Sequence, residues 1–529
     1  MYRLHNQLFK YNINRKSFVE SKRSIDFTHL RRANEYVSTT KSTIDEVTWN
    51  DMNMDDVFGN INYANSSAGE ETLYSWLRNP LDNKSMIEAR LKRIHSAENK
   101  KRDTELLVDE LRKLSYCRYH LKEIMESNFK ANRKQLVLHS LISLVNLFII
   151  MYSIMIEVSF LTGLLVLLFP INIFLHFSFN EKYGRQLEVL QYAMKMVKFC
   201  KVSSSGISEA FPELCKKVIE LTNSLSSISK KEVSLFRLEG LDLVADYINV
   251  TFLIKEISYF SISGKVQDLK EEIVELYDCI GLMDATISII RYKESLDYYC
   301  EPKLGGSFQN IVVEDLYHPL LNEPVSNSIE ISEDIVITGS NMSGKSTFLR
   351  TIGINALFAQ SICICLAKKY EADFYRLITS ISLNDTILES KSYFLMEAEA
   401  MKRMLSIKND DYSTLILIDE IFKGTNPIER YAASIEILNE LGNGNTKVVV
   451  STHDLNILPE LENYNFYYFT ENITSESLAF DFKIRKGTSK TRNAVKILEH
   501  VKYPKELVAE INSRISVMED KSISTTKSC

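Results

Sequence analysis

Gly339-Ser340-Asn341-Met342-Ser343-Gly344-Lys345-Ser346 fits the pattern GxxxxGK[ST]. In such a loop the glycines let backbone N–H groups curl around phosphate oxygens, and the lysine reaches the outer phosphates of a nucleotide. An apolar run, Ile335 to Thr338, precedes the loop, and a helical pattern opening with Thr347 follows it. The loop therefore sits where a strand hands over to a helix N-terminus, whose positive end attracts anions. A second group closes the run "TLILIDE": Asp419 and the Ser346 hydroxyl can hold Mg2+, while Glu420 is placed to orient or deprotonate an attacking water. A third, "VVVSTHD", ends at Thr452 and His453 and offers an imidazole to a terminal phosphate. The chemistry these residues predict is Mg2+-dependent hydrolysis of a nucleoside triphosphate, with Lys345, Glu420 and His453 as the acting groups.

These residues need a sheet to present them. After "EPKLGG" the runs "NIVVEDLY", "IEISEDIVITG", "STLILIDE" and "KVVVSTHD" alternate with helical segments, which predicts an α/β domain with parallel central strands over residues 303–529. Upstream, residues 49–135 and 180–302 carry apolar positions at helical spacing, as in "MIEARLKRIHSAENKKRDTELLVDELRKL". Between them lies 136–179, where Glu157 is the only formally charged residue. Each side of Glu157 holds about 20 apolar-dominated residues, enough to cross a ~30 Å hydrocarbon layer. This predicts a two-span transmembrane hairpin with Glu157 at the far surface. Lys130, Arg133 and Lys134 before it and Lys182 and Arg185 after it put both termini in the cytoplasm of a protein of the cell membrane. Asn146, Pro170, Asn172 and His176 are polar or kinking groups expected to bond across the helix pair.

Residues 1–48 begin with a basic segment, Arg3, Lys10, Arg15, Lys16, Lys22, Arg23, Arg31 and Arg32 against Glu20 and Asp26, suited to phosphates or an anionic lipid surface. Over 529 residues the formal charge is −6, so no global basic field draws the chain to nucleic acid and any such site is local. The eight cysteines form no CxxC pair, consistent with reduced thiols. The first residues lack the order of a secretory signal.

The words around the loop are more specific than the loop. "TGSNMSGKSTFLRTIG" resembles the TGPNMGGKST loop of the MutS family of DNA mismatch-repair ATPases, with Ser340 for Pro and Ser343 for Gly. "DEIFKGTN" is similar to that family's DEIGRGTS, with Phe422 and Lys423 replacing Gly and Arg, "ESKSYFLMEAEAMKRML" to its GRSTFMVEMxExxxIL segment, and "STHD" to its ATHY. The transporter signature LSGGQ is absent between loop and acidic pair. The resemblance implies an ABC-type ATPase domain and a homodimer with two composite ATP sites. It places Ser392, matching the Ser of STFM, in trans against the γ-phosphate held by the partner subunit. "LYHPLL" resembles the family's RHP segment, which sets Tyr317 and His318 near the base. "FKIRKGTSKTRNAVKILEHVKYPKELVAEI" is similar to the C-terminal stretch that packs on the dimer partner.

Farther upstream, "MDDVFGNINYANSSAGEETLYSWLRNPL" resembles the beginning of the family's core, where a small-residue turn (here Ser67 and Gly69) precedes an LxxWLxxP-like helix. The likeness covers about residues 50–130 and 300–510. Mismatch readers of the family present a Phe-x-Glu wedge on an N-terminal domain; here about fifty residues precede the core, and Phe18-Val19-Glu20 spells the wedge without a domain to hold it. The expectation is an α-helical core and lever domain interrupted by the two-span hairpin, joined to an α/β P-loop ATPase domain. The implied function is an ATP-switched dimeric clamp, tethered to the membrane through 136–179, acting on mismatched or branched DNA. The alternative is a membrane-anchored ATPase driving a protein machine that never touches DNA.

Overall fold

The computed structural model describes residues 24–129, 132–156, 159–229, 242–305, 310–340, 343–382, 393–407, 412–422, 425–473, 478–488, 495, 498, 501 and 503–514. The basic stretch up to Arg23, the Phe18-Val19-Glu20 triplet, Glu157 and Ser392 lie outside these residues, as do Asn341 and Met342 of the loop. Chain contacts divide the protein into two compact units, one built from 1–38, 61–75 and 90–295, the other from 39–60, 76–89 and 296–529.

The first unit is helical. Its amphipathic members follow the spacing of their apolar residues: Lys101–Leu114 buries Thr104, Leu107, Val108, Leu111 and Leu114, one face of a 3.6-residue period. The helix Ser67–Arg78 begins at Ser67, so Gly69 lies inside its first turn and not in a turn before it. The reason is Asp284. Its carboxylate accepts from the backbone N–H groups of Asn65 (3.0 Å) and Ser66 (2.8 Å) and from the Ser66 hydroxyl (2.6 Å). It approaches so closely that a Cβ on Gly69 would stand 2.3 Å from Oδ2. Burial pushes the Asp284 carboxyl up, against the hydrogen bonds of Ser66 and Asn65 that pull it down.

Nearby, Glu71 is held between two imidazoles, His29 Nε2 at 2.8 Å and His120 Nε2 at 3.1 Å. The second is an ion-pair distance whose N–H direction falls off a hydrogen-bond line. Burial would raise the Glu71 carboxyl, but His120 and His29 together outweigh it and bring it down to about 2.

The apolar stretch forms the helix Arg133–Ile156 and the start of a 44-residue helix, Ser159–Val202. The second helix does not stop at residue 179; it carries Pro170 inside it and runs on through the charged residues, because "NEKYGRQLEVLQYAMKM" contains helix formers and no breaker stronger than Gly184. Among the described residues one segment, Arg133–Ser153, is long and apolar enough to cross a membrane, and 17% of its most apolar window is buried. Its faces are inverted relative to a water-soluble helix. Val137, Leu141, Leu144, Phe148 and Met151 are exposed, Phe148 by 67%, whereas His139 and Asn146 are buried. On the second helix Phe174 and Phe177 are exposed and Asn172 is buried. The amides of Asn146 and Asn172 do not bond each other across the pair. Both donate to the carbonyl of Thr251, 2.8 Å and 3.2 Å away, on a third helix, Asp242–Phe252.

The second unit is α/β. Strands β4 (Asp334–Thr338), β6 (Arg376–Ser380), β7 (Thr414–Asp419), β8 (Thr446–Thr452), β9 (Tyr464–Tyr468) and β12 (Arg485–Lys486) form one sheet in the order β12-β9-β4-β8-β7-β6. All neighbours are parallel except β12 on β9. The central strands are continuous apolar runs because both faces are covered. On one face Val336, Ile416, Ile418, Val448 and Val450 share a core with Leu438 and Leu441 of the helix Pro427–Gly442 and with Met401 and Met404 of Tyr393–Ile407. On the other, Leu417 lies against Gly353 of the helix Lys345–Ser361, where a Cβ would come within 2.8 Å of the leucine. A smaller sheet, in the order β1-β5-β2-β3, is made of β1 (Lys303–Leu304), β2 (Ile311–Leu316), β3 (Asn327–Ile331) and β5 (Lys369–Ala372).

Candidate nucleotide site

The parallel register assembles the site at the C-terminal ends of three strands. Thr338 of β4 stands beside Thr452 of β8, and Asp419 of β7 beside Ser451 of β8. The sequence-predicted groups therefore arrive at one edge from positions far apart in the chain. Gly339 leaves β4 with φ +144°, and a Cβ there would meet the Phe469 carbonyl at 2.8 Å; Gly344 opens the Lys345–Ser361 helix with φ +102°. Both are conformations in which an L side chain is strained.

Lys345 is buried, and its ammonium donates to the carbonyls of Gly339 (2.9 Å) and Ser340 (2.8 Å). His453 Nε2 lies 3.2 Å from the same ammonium and 2.7 Å from Glu420 Oε1. One ring nitrogen can accept from the lysine or donate to the carboxylate, not both. This makes the imidazole a two-way contact between the cation and the acid. Ser343 is buried with its hydroxyl unpartnered among the described residues, close to the Cβ direction of Gly339.

Asp419 is fixed by two hydroxyls, Ser346 on one oxygen and Ser451 on the other. Glu420 follows with φ +60°, its N–H donating to the Ser451 carbonyl at 3.0 Å. A non-glycine residue in that region costs on the order of 1–3 kcal/mol, so the backbone turns the Glu420 carboxylate away from the strand direction at some expense. Phe422 repeats the feature with φ +56°.

These groups share a cavity of about 460 Å³. Gly344, Lys345, Ser346, Thr347, Asp419, Glu420 and His453 line it together with the apolar Leu316, Leu321, Val325 and Phe482, the last 3.2 Å from where a Gly344 Cβ would stand. A lining that combines charged and hydroxyl groups with apolar side chains fits a polyphosphate joined to a flat aromatic base. His318 lines the cavity too; burial, with Arg350 nearby, pulls its imidazole down to about 4, so it meets a ligand as a neutral ring. Tyr317 is turned elsewhere: its hydroxyl donates to the Tyr298 carbonyl at 2.8 Å and its ring packs on that of Tyr298.

Three contributors carry no signal in the sequence. Ser451 is one. Asn327 is the second, donating to the Phe482 carbonyl at 3.0 Å and accepting from the Ile484 N–H at 2.8 Å, which seats Phe482 on the cavity. Asp51 is the third, outside the cavity lining and bracing the end of β6: its carboxylate accepts from Thr379 Oγ1 (2.7 Å) and the Ile381 and Ser382 N–H groups (2.9 and 2.8 Å).

The description "MutS domain V" matches residues 335–519, the span that contains the loop, the acidic pair and His453. Over this span the chain is similar to proteins of the MutS family. Endonuclease MutS2 of Streptococcus agalactiae is 31% identical over 231 residues, which is 40% of this chain and 29% of the relative. Endonuclease MutS2 of Streptococcus pyogenes is 30% identical over 247 residues, 43% of this chain and 31% of the relative. The DNA mismatch repair protein MutS of Natronomonas pharaonis is 25% identical over 260 residues, 47% and 30%. The MutS-like similarity thus spans less than a third of each of these relatives.

Proposed function

We propose that the chain binds and hydrolyses ATP in a Mg2+-dependent reaction at the 335–519 domain. The observation that carries this reading is the convergence of Gly344, Lys345, the Asp419–Ser346 pair, Glu420 and His453 on one cavity that apolar side chains also line. The hydroxyl of Ser346 and the carboxylate of Asp419, already in contact, are the hard oxygen set that fits Mg2+, which would neutralise phosphate charge and orient the β- and γ-oxygens. Lys345 exchanges two loop carbonyls for phosphate oxygens. Glu420 takes the proton of the attacking water, and His453, bonded to it, holds the carboxylate in place and meets the terminal phosphate. His318, neutral, faces the base end. Asn341, Met342 and Ser392 belong to the proposal through the family's motifs, Ser392 reaching the γ-phosphate of a partner subunit in a homodimer.

The reading extends to a membrane tether over 136–179 with both ends in the cytoplasm, between helical parts 49–135 and 180–302. The inverted faces of Arg133–Ile156 and the start of Ser159–Val202 support it, since exposed Phe148, Phe174 and Phe177 are costly in water and favourable against lipid. Relatives named for DNA mismatch repair and as an endonuclease support an action on mismatched or branched DNA by an ATP-switched clamp. The apolar outer face favours the second reading, an ATPase serving a membrane-bound protein machine.

The deciding experiment measures ATP turnover of detergent-purified protein alone and with perfect duplex, mismatched duplex and four-way junction at stated salt. Stimulation by a mismatch or junction is expected; no stimulation and no salt-dependent binding would refute the DNA reading. Glu420→Gln should abolish turnover and retain nucleotide. For the tether, the protein should stay with membranes through a high-salt wash, and deletion of 136–179 should release it.

A further inference from the structure

The polar side chains enclosed by the apolar helices converge on a helix break. Asp242–Phe252 ends and Ile254–Asp268 begins at Leu253, whose φ of +49° interrupts the helical ladder. The last carbonyls before a break lack intrahelical donors. One of them, on Thr251, accepts from the side-chain amides of both Asn146 and Asn172. Those two residues are 1% and 2% exposed, and with their N–H groups committed, each Oδ1 has no partner among the described residues.

One turn beyond Asn172, His176 Nδ1 lies 2.7 Å from Glu256 Oε1, and its Nε2 lies 2.9 Å from Asn180 Nδ2. The amide nitrogen can only donate, so Nε2 accepts and Nδ1 carries the proton. The ring therefore brings Glu256 a hydrogen bond without a charge. Glu256 is fully buried, and its other oxygen, Oε2, has no partner among the described residues. Buried water can satisfy amide oxygens, but it does not balance a buried carboxylate.

We propose that this enclosed set binds a monovalent cation, with Asn146 Oδ1 and Asn172 Oδ1 supplying neutral oxygens and Glu256 Oε2 the charge, while the Thr251 carbonyl, its two lone pairs taken by the asparagine amides, holds those two side chains in place. Hard oxygen donors at an interrupted helix suit an alkali ion. A single carboxylate suits one positive charge, and no described residues form a group of three or more His, Cys, Asp or Glu that would hold a transition metal. The site lies in the helical unit and goes beyond nucleotide hydrolysis; it stands independently of that reading.

The test is thermal unfolding of the full chain in detergent, in chloride salts of sodium, potassium, lithium and N-methylglucamine at constant ionic strength. Sodium or potassium should raise Tm saturably by about 2 °C or more over the organic cation. Glu256→Gln and Asn172→Ala should each abolish that rise, while Glu181→Gln, an exposed carboxylate on the same helix, should keep it. If Glu256→Gln fails to fold, Asn146→Ala and Asn172→Ala carry the test. Equal Tm in all four salts overturns the proposal, and so does a rise that the asparagine variants retain.

Discussion

Ser451→Ala probes the metal position without touching a proposed ligand. Asp419 is oriented by the hydroxyls of Ser346 and Ser451, one on each oxygen. When Ser346 turns its oxygen toward Mg2+, Ser451 is left as the hydroxyl that fixes the carboxylate. A hydrogen bond to a charged group contributes about 1.5–3 kcal/mol. Asp419 is only half-buried, so water recovers part of that, leaving a loss of about 1–2 kcal/mol, or roughly 5–30-fold in Mg2+ affinity. The assay is ATP turnover against Mg2+ concentration, paired with binding of a fluorescent nucleotide in chelator. The Mg2+ midpoint should rise by that factor, turnover at saturating Mg2+ should approach the parent protein, and binding in chelator should not change. A midpoint identical to the parent's would refute the orienting role, and weakened binding in chelator would mean that Ser451 supports the loop instead.

Gly339→Ala should destabilise the α/β unit by about 2 kcal/mol or more, since it adds a Cβ 2.8 Å from the Phe469 carbonyl at φ +144°; denaturant unfolding reads the loss. Asp284→Ala leaves the N–H groups of part-buried Asn65 and buried Ser66 without that acceptor and should cost about 2–4 kcal/mol, measured the same way. Stability should also fall on acidification. Glu71, depressed from 4.5 to about 2, contributes fully above its unfolded value, and the contribution, about 3 kcal/mol, is lost as pH drops through that interval. His29 is raised above 6.5, its hydrogen bond to Glu71 exceeding the effect of burial, so its share is present below 6.5 and lost as pH climbs through the folded value. Thermal midpoints across pH should therefore show a shoulder on the acid side that Glu71→Gln removes.

The sequence by itself determined which residues are candidates for the nucleotide site and the class of the C-terminal domain. Loop chemistry is local: consecutive backbone N–H groups and one lysine make a phosphate cradle, so Gly339 to Ser346 could be read off directly, and continuous apolar runs announced parallel strands covered on both faces. The apolar character of 136–179 was equally plain, being compositional. Tertiary structure decided whatever depends on pairing across the chain. The β7–β8 register alone puts Ser451 on Asp419, and Asn327, at the start of β3, meets Phe482 across 155 residues of chain. Tyr317 and His318 are neighbours in one motif, yet packing sends the first to Tyr298 and the second to the cavity. Asn146 and Asn172 invited a bond to each other. A broken helix about eighty residues downstream of Asn172 offers them a carbonyl that its own ladder cannot use, and no local pattern in either span records where that break will lie.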